Sequence, residues 1–140
     1  MALSALGGAG IARAAAPAAA TTGAADALAP FFRQGSLSVS QGTSRFLFPF
    51  DVRLLGVSVA VGTAPLGAPV VVDVNCNGTT LFPDQTRRPS VADGASSTAS
   101  EAAPSVSAVR AGDYLTVDVD SVGSVEPGAD LTVFVRYRIA

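Results

Sequence analysis

The sequence predicts an all-β fold, an antiparallel β-sandwich of jelly-roll type with about eight strands and an extended Ala-rich N-terminal arm. Three observations carry this. Short apolar-alternating runs recur through residues 35–140, separated by Gly, Pro and Asn punctuation, with no helical periodicity among them. Val70–Phe82, VVVDVNCNGTTLF, places Asn77-Gly78 between two such runs, the strongest short-range signal for a two-residue hairpin. Asp130–Ile139 alternates Leu131, Val133, Val135, Tyr137 and Ile139 against Thr132, Phe134, Arg136 and Arg138.

Residues 1–34 read as an arm for anchoring or assembly, and residues 35–140 as the sandwich. The arm is rich in Ala with Gly, Thr and Pro. Ile11–Ala16 and Ala24–Leu28 have helix-forming composition, with Pro17 and Pro30 as stops, but such short helices are marginal in water. The arm holds too few large apolar residues for a core of its own, which suits either a disordered tail or a segment ordered only against neighbouring subunits. Its opening residues lack a basic region, and Gly7, Gly8, Gly10 and Arg13 break the apolar run, unlike a secretory signal. No stretch of about 20 apolar residues runs without Gly, Pro or charge, so no membrane partner is expected.

In the sandwich, Gly35–Gln41 alternates and reads as the first strand, and Gly42-Thr43 as a turn. Arg45–Phe48 is a second short strand stopped by Pro49, and Asp51–Val61 is a longer one. Its apolar phase switches near Leu54–Gly56, as a β-bulge or a bend between sheets would require. After the loop Gly62–Pro69, folding at Asn77-Gly78 opposes Cys76 to Thr79, Asn75 to Thr80 and Val74 to Leu81. Val72, Val74, Cys76, Thr79 and Leu81 then share the inward face, with Asp73, Asn75 and Thr80 on a polar outer face. Pro83–Pro104 is a long polar loop with a brief edge strand at Arg88–Val91. Ser105–Val109, Tyr114–Val119 and Asp130–Ile139 complete the strands, the last central in its sheet.

Composition narrows the chemistry. The net charge is −2, and all nine basic residues are Arg, giving no electrostatic case for nucleic acid. With no His and one inward-facing Cys, neither a Ser-His-Asp nor a Cys-His centre can be assembled. Asp73, Asn75, Asn77 and Asp84 fit the spacing of a calcium loop, but their flanks are strands, and a polar hairpin face accounts for them. Asp118 and Asp120 have the spacing of a glycosidase pair without an apolar pocket or aromatic platforms. No cofactor, metal or catalytic residue is expected. Partner contacts are expected from Phe31, Phe32 and Arg33 at the junction of arm and sandwich, and from the Arg87-Arg88 guanidinium forks. Phe134 and Phe82 have the wrong parity for the core face and would pack on the second sheet or a neighbour.

DVNCNGTTLF, RPSV and GDYLTVDVDSVGSVEPGADLTV, within Phe50–Ile139, resemble a small all-β module of tailed-bacteriophage virion proteins, found on head decorations, head fibres and tail fibres. The resemblance implies a multimeric, non-catalytic component located in the virion. The expectation is a capsid decoration or head-fibre subunit, self-associated as a homotrimer and attached through the arm to other virion proteins such as the major capsid protein. The alternative is a receptor- or carbohydrate-binding module of a tail or head fibre, its Pro83–Pro104 and Ser121–Gly128 loops contacting host surface glycan. A hydrolase using Asp118 and Asp120 is a third, weaker reading.

Overall fold

A computed structural model describes residues 25–42 and 44–140. Among these residues the chain forms nine strands: β1 (Ala27–Ser36), β2 (Phe46–Leu47), β3 (Val52–Thr63), β4 (Val70–Cys76), β5 (Thr79–Thr80), β6 (Ser90–Val91), β7 (Ala108–Val109), β8 (Tyr114–Ser121) and β9 (Ala129–Ile139). Among the described residues the helical content is one short 3₁₀ turn, Gln85–Arg87. The strands make two antiparallel sheets, one ordered β1-β9-β3-β7, the other β2-β8-β4-β5 with β6 also pairing β4. The first strand pairs with the last and the second with the last but one. This is jelly-roll winding, in agreement with the predicted fold class.

The inner faces meet over Val57, Val59, Val133 and Val135 from one sheet and Val72, Val74, Val117 and Val119 from the other, all buried. Phe48 fills one end of the core, edge-on to Phe46 at 5.2 Å and to Tyr137 at 5.0 Å. β9 is central, flanked by β1 and β3, as its length and β-branched content predict. The phase switch in β3 is real. The register slips between Arg136 and Tyr137 opposite Leu54 and Gly56, so Val52 and Leu54 face inward before the slip and Val57, Val59 and Val61 after it.

Two expectations are corrected. The first strand is Ala27–Ser36, not Gly35–Gln41. Gly35 has φ +84°, which ends an extended run, while Ala29 and Phe31 supply the inward alternation upstream. Residues 27–34, assigned to the arm, are therefore a strand of the sandwich, and Ala27 and Leu28 are not helical. The helix expected at Ile11–Ala16 and the Gly42-Thr43 turn rest wholly or partly on residues outside those described.

The second correction concerns the central hairpin. It pairs as predicted, Cys76 with Thr79 and Asn75 with Thr80, and Asn77 and Gly78 both take positive φ. Its polar face is not exposed, however: Asp73 is only 6% exposed and Asn75 is also buried. The Thr80 hydroxyl donates to Asp73 at 2.7 Å, Gln85 of the 3₁₀ turn closes over the same group, and Asn75 donates to Asp118 at 2.9 Å. The chain following the hairpin folds back to make this cover. Phe82, also of the wrong parity for the core face, is buried in the core by the same fold-back.

Candidate interaction surface

The outer face of the β1–β9–β3 sheet carries two of the six expected partner residues, Phe32 and Phe134. Even-numbered side chains of β1 and β9 point outward. Register places Pro30 opposite Phe134, Phe32 opposite Thr132 and Leu28 opposite Arg136. On the other side of β9, Phe134 lies opposite Ser58 and Thr132 opposite Ala60, both small residues. Phe32 is 69% exposed and Leu28 52%, and Phe134 is half-buried beside them. Three large apolar side chains thus share one sheet face, at the edge where β1 begins.

That edge is fastened by a four-membered ion network. Arg136 donates through Nη1 to Asp26 at 2.6 Å and grips Glu101 with Nε at 2.9 Å and Nη2 at 2.8 Å. Arg138 adds Nε and Nη2 contacts to Asp26 at 2.8 and 2.7 Å. Hydrogen bonds from Arg138 and then Arg136 hold the Asp26 carboxyl below its ordinary value, and Arg136 does the same for Glu101. The Arg136 guanidinium is correspondingly raised, first by Glu101 and then by Asp26. The network joins the start of β1, the end of β9 and the long loop.

The long loop does not hang free. Ala102 and Val57 exchange backbone hydrogen bonds of 2.8 and 2.9 Å, Thr98 donates to Val59 and Val61 donates to Ser96. The segment covers the outer edge of β3, as an edge strand would. An open cleft of about 380 Å³ remains between this segment and the 3₁₀ turn, lined by Arg87, Ser90, Ser100, Glu101 and small Ala side chains.

The other expected site residues disperse. Phe31 is 4% exposed and packs against Phe46 at 6.2 Å, so it belongs to the core and not to a partner surface. Its neighbour Phe32 has the opposite parity, which explains why adjacent rings part company. Arg33 turns inward along the sheet end, donating to the Ser40 hydroxyl at 2.5 Å and the Gly42 carbonyl at 3.0 Å. Arg88 pairs with Asp120 at 2.6 Å, while Arg87 lines the cleft. Asp118 accepts from the Gly42 amide at 2.7 Å and from Asn75. Asp118 and Asp120 therefore serve separate partners.

The calcium-spaced residues likewise each have a different partner. Asp73 holds Thr80, Asn75 holds Asp118, Asn77 donates to Asp113 at 2.9 Å, and Asp84 caps the 3₁₀ turn through the Thr86 amide and hydroxyl. Among the described residues no group of three or more His, Cys, Asp or Glu side chains could hold a metal ion. Cys76 is half-buried, and burial, with Asp113 nearby, pushes its thiol up.

Sequence reasoning missed the Asp26–Glu101–Arg136–Arg138 network. One signal was available: two Arg at outward positions of a strand in a chain with few charges call for nearby carboxylates. Compared with models of known protein families and with curated proteins, the sequence matches none.

Proposed function

We propose that the chain is a non-enzymatic structural subunit of a bacteriophage virion, a capsid decoration or head-fibre protein held by other copies and by neighbouring virion proteins. The observation that supports it most is the outer sheet face. Leu28, Phe32 and Phe134 present apolar surface beside the point where the N-terminal arm begins, a placement suited to assembly. The virion assignment rests on the resemblance of Asp73–Phe82 and Gly112–Val133 to phage structural modules. A homotrimer is the expected assembly.

The arm relevant to attachment is shorter than the sequence reading assumed. Residues 27–34 are part of the sheet, so a deletion that tests attachment should stop before Ala25. Particles lacking the protein, mixed with the purified full chain, should acquire it as added density in electron micrographs. The chain without residues 1–24 should fold and fail to attach. Undiminished attachment of the shortened chain would overturn the anchoring role, and particles that never take up the full chain would overturn the virion assignment.

The alternative, a receptor- or carbohydrate-binding module, is favoured by the open cleft with its Arg87 guanidinium and the Ser90 and Ser100 hydroxyls, groups that hydrogen-bond sugar or carboxylate oxygens. Glycan-array binding abolished by Arg87→Ala would move the assignment to that reading.

A further inference from the structure

We propose that residues 1–24 of a neighbouring copy lie across the outer face of the β1–β9–β3 sheet and cover Leu28, Phe32 and Phe134. This deepens the proposed self-association and rests on it for the copy that supplies the segment.

Asp26 is fastened to Arg136 and Arg138 on the outer face, and Ala27 lies opposite Tyr137 near the end of β9. The chain before Asp26 therefore leaves from the rim of the apolar face. To cover its own face it would have to reverse direction after leaving Asp26. A segment arriving from a neighbour needs no such reversal.

Length and composition fit. Fully extended, 24 residues reach on the order of 80 Å, whereas ten strand residues such as β1 span about 33 Å. The segment can bridge two bodies and still lie along a whole strand. Its one charged side chain is Arg13, its large apolar residues are Met1, Leu3, Leu6 and Ile11, and most of the rest are Ala and Gly. Small residues let a backbone approach a sheet face closely, and large ones can fill the spaces around Phe32 and Phe134. A segment without a core of its own and an apolar face without a cover are complementary.

The face, not the strand edge, is the docking surface. β1 is an edge strand, but Pro30 in its middle has no N–H to offer an incoming strand, a common device against edge pairing.

The test places the photo-crosslinking residue benzoylphenylalanine at position 32 of the full chain. Isotopically heavy and light copies are refolded together, irradiated and digested. Crosslinks from position 32 to residues 1–24 that join a heavy to a light copy are expected. Removing residues 1–24 should also weaken self-association by at least about tenfold in sedimentation. Oligomers whose crosslinks land in residues 25–140 would overturn the inference while leaving self-association intact. Crosslinks to 1–24 confined to single copies would overturn the exchange. A monomer without crosslinks to 1–24 would overturn both.

Discussion

Glu101 lies directly over Gly56, so close that a methyl group at position 56 would overlap its carboxyl. Gly56 sits at the register slip of β3, opposite Arg136, the residue that grips Glu101. The absent side chain thus leaves the space through which the long loop reaches β9. Gly56→Ala should push Glu101 aside, since a flexible side chain yields before a backbone does, and lower stability by about 1 kcal/mol. Glu101→Gln alone should weaken the same contact. In a double-mutant cycle followed by thermal melting, the two changes should be clearly less than additive, because either one removes the grip that the other depends on. Additive losses would mean that Gly56 acts independently of Glu101.

The same network dictates an acid response. Asp26 and Glu101 have carboxyl groups lowered from ordinary values of 3.8 and 4.5. A group depressed in the folded state contributes stability above its unfolded value and loses it as pH falls through its folded value. The fastening of β1 should therefore be complete at neutral pH and loosen below about pH 4. Hydrogen exchange at the amides of Ala27 and Leu28 should accelerate there beyond the intrinsic rate, ahead of those of β9. Arg136→Gln should produce that loosening at neutral pH and flatten the acid response. High salt should do part of the same, since these groups are partly exposed.

Phe31 and Phe32 are adjacent, yet their replacement should have opposite consequences. Phe31→Ala opens a hole against Phe46 and should cost about 3–5 kcal/mol, a large share of the stability of a small domain. Phe32→Ser removes an exposed ring and should change the melting of the isolated chain by no more than about 0.5 kcal/mol. Its effect should appear in assembly instead. Chemical unfolding and sedimentation on both variants separate the two roles.

Legibility from sequence followed the range of the interactions. The hairpin at Asn77-Gly78 was readable because a turn is decided by the residues within it. β9 was readable because its period is carried by its own residues. The slip in β3 was visible as a change of apolar phase at Leu54–Gly56. Strand β1 was misplaced because Ala-rich composition hides a strand whose inward residues are Ala29 and Phe31, and because Gly35 looked like a beginning when its backbone makes an end. Burial of Asp73 and Asn75 could not be read locally: Gln85 is twelve residues from Asp73 and Asp118 is 43 from Asn75. The ion network spans 35 residues from Glu101 to Arg136 and 110 from Asp26, distances over which periodicity says nothing.

The central turn offers a test of backbone strain free of packing. Gly78 has φ +86°, and a Cβ there would meet no atom within 4 Å. Gly78→Ala should cost about 1 kcal/mol, from the left-handed backbone alone. Asn77→Ala should cost more: Asn77 also has a left-handed backbone at φ +52°, and its loss in addition frees the Asp113 carboxylate and leaves the Tyr114 amide, which donates to the Asn77 side chain at 3.1 Å, without that partner. The Asp113 carboxyl, held down first by Asn77, should titrate closer to its ordinary value of 3.8 in Asn77→Ala and stay depressed in Gly78→Ala. Carboxyl NMR titration distinguishes the two.

Calcium supplies the last test, because the spacing of Asp73, Asn75, Asn77 and Asp84 fits a calcium loop while their bonding does not. A calcium loop needs its oxygens turned to one centre. Here the Asp73 oxygens accept from Thr80 and Gln85, the Asn77 side-chain oxygen takes the Tyr114 amide, and Asp84 is occupied by Thr86. To gather them, an ion would have to strip Asp73 of its cover and dismantle the 3₁₀ turn. Calorimetric titration of the full chain should show no binding heat at sub-millimolar calcium, and millimolar calcium should leave its melting temperature unchanged. A saturable heat lost in Asp73→Asn would mean that the hairpin face opens to admit the ion.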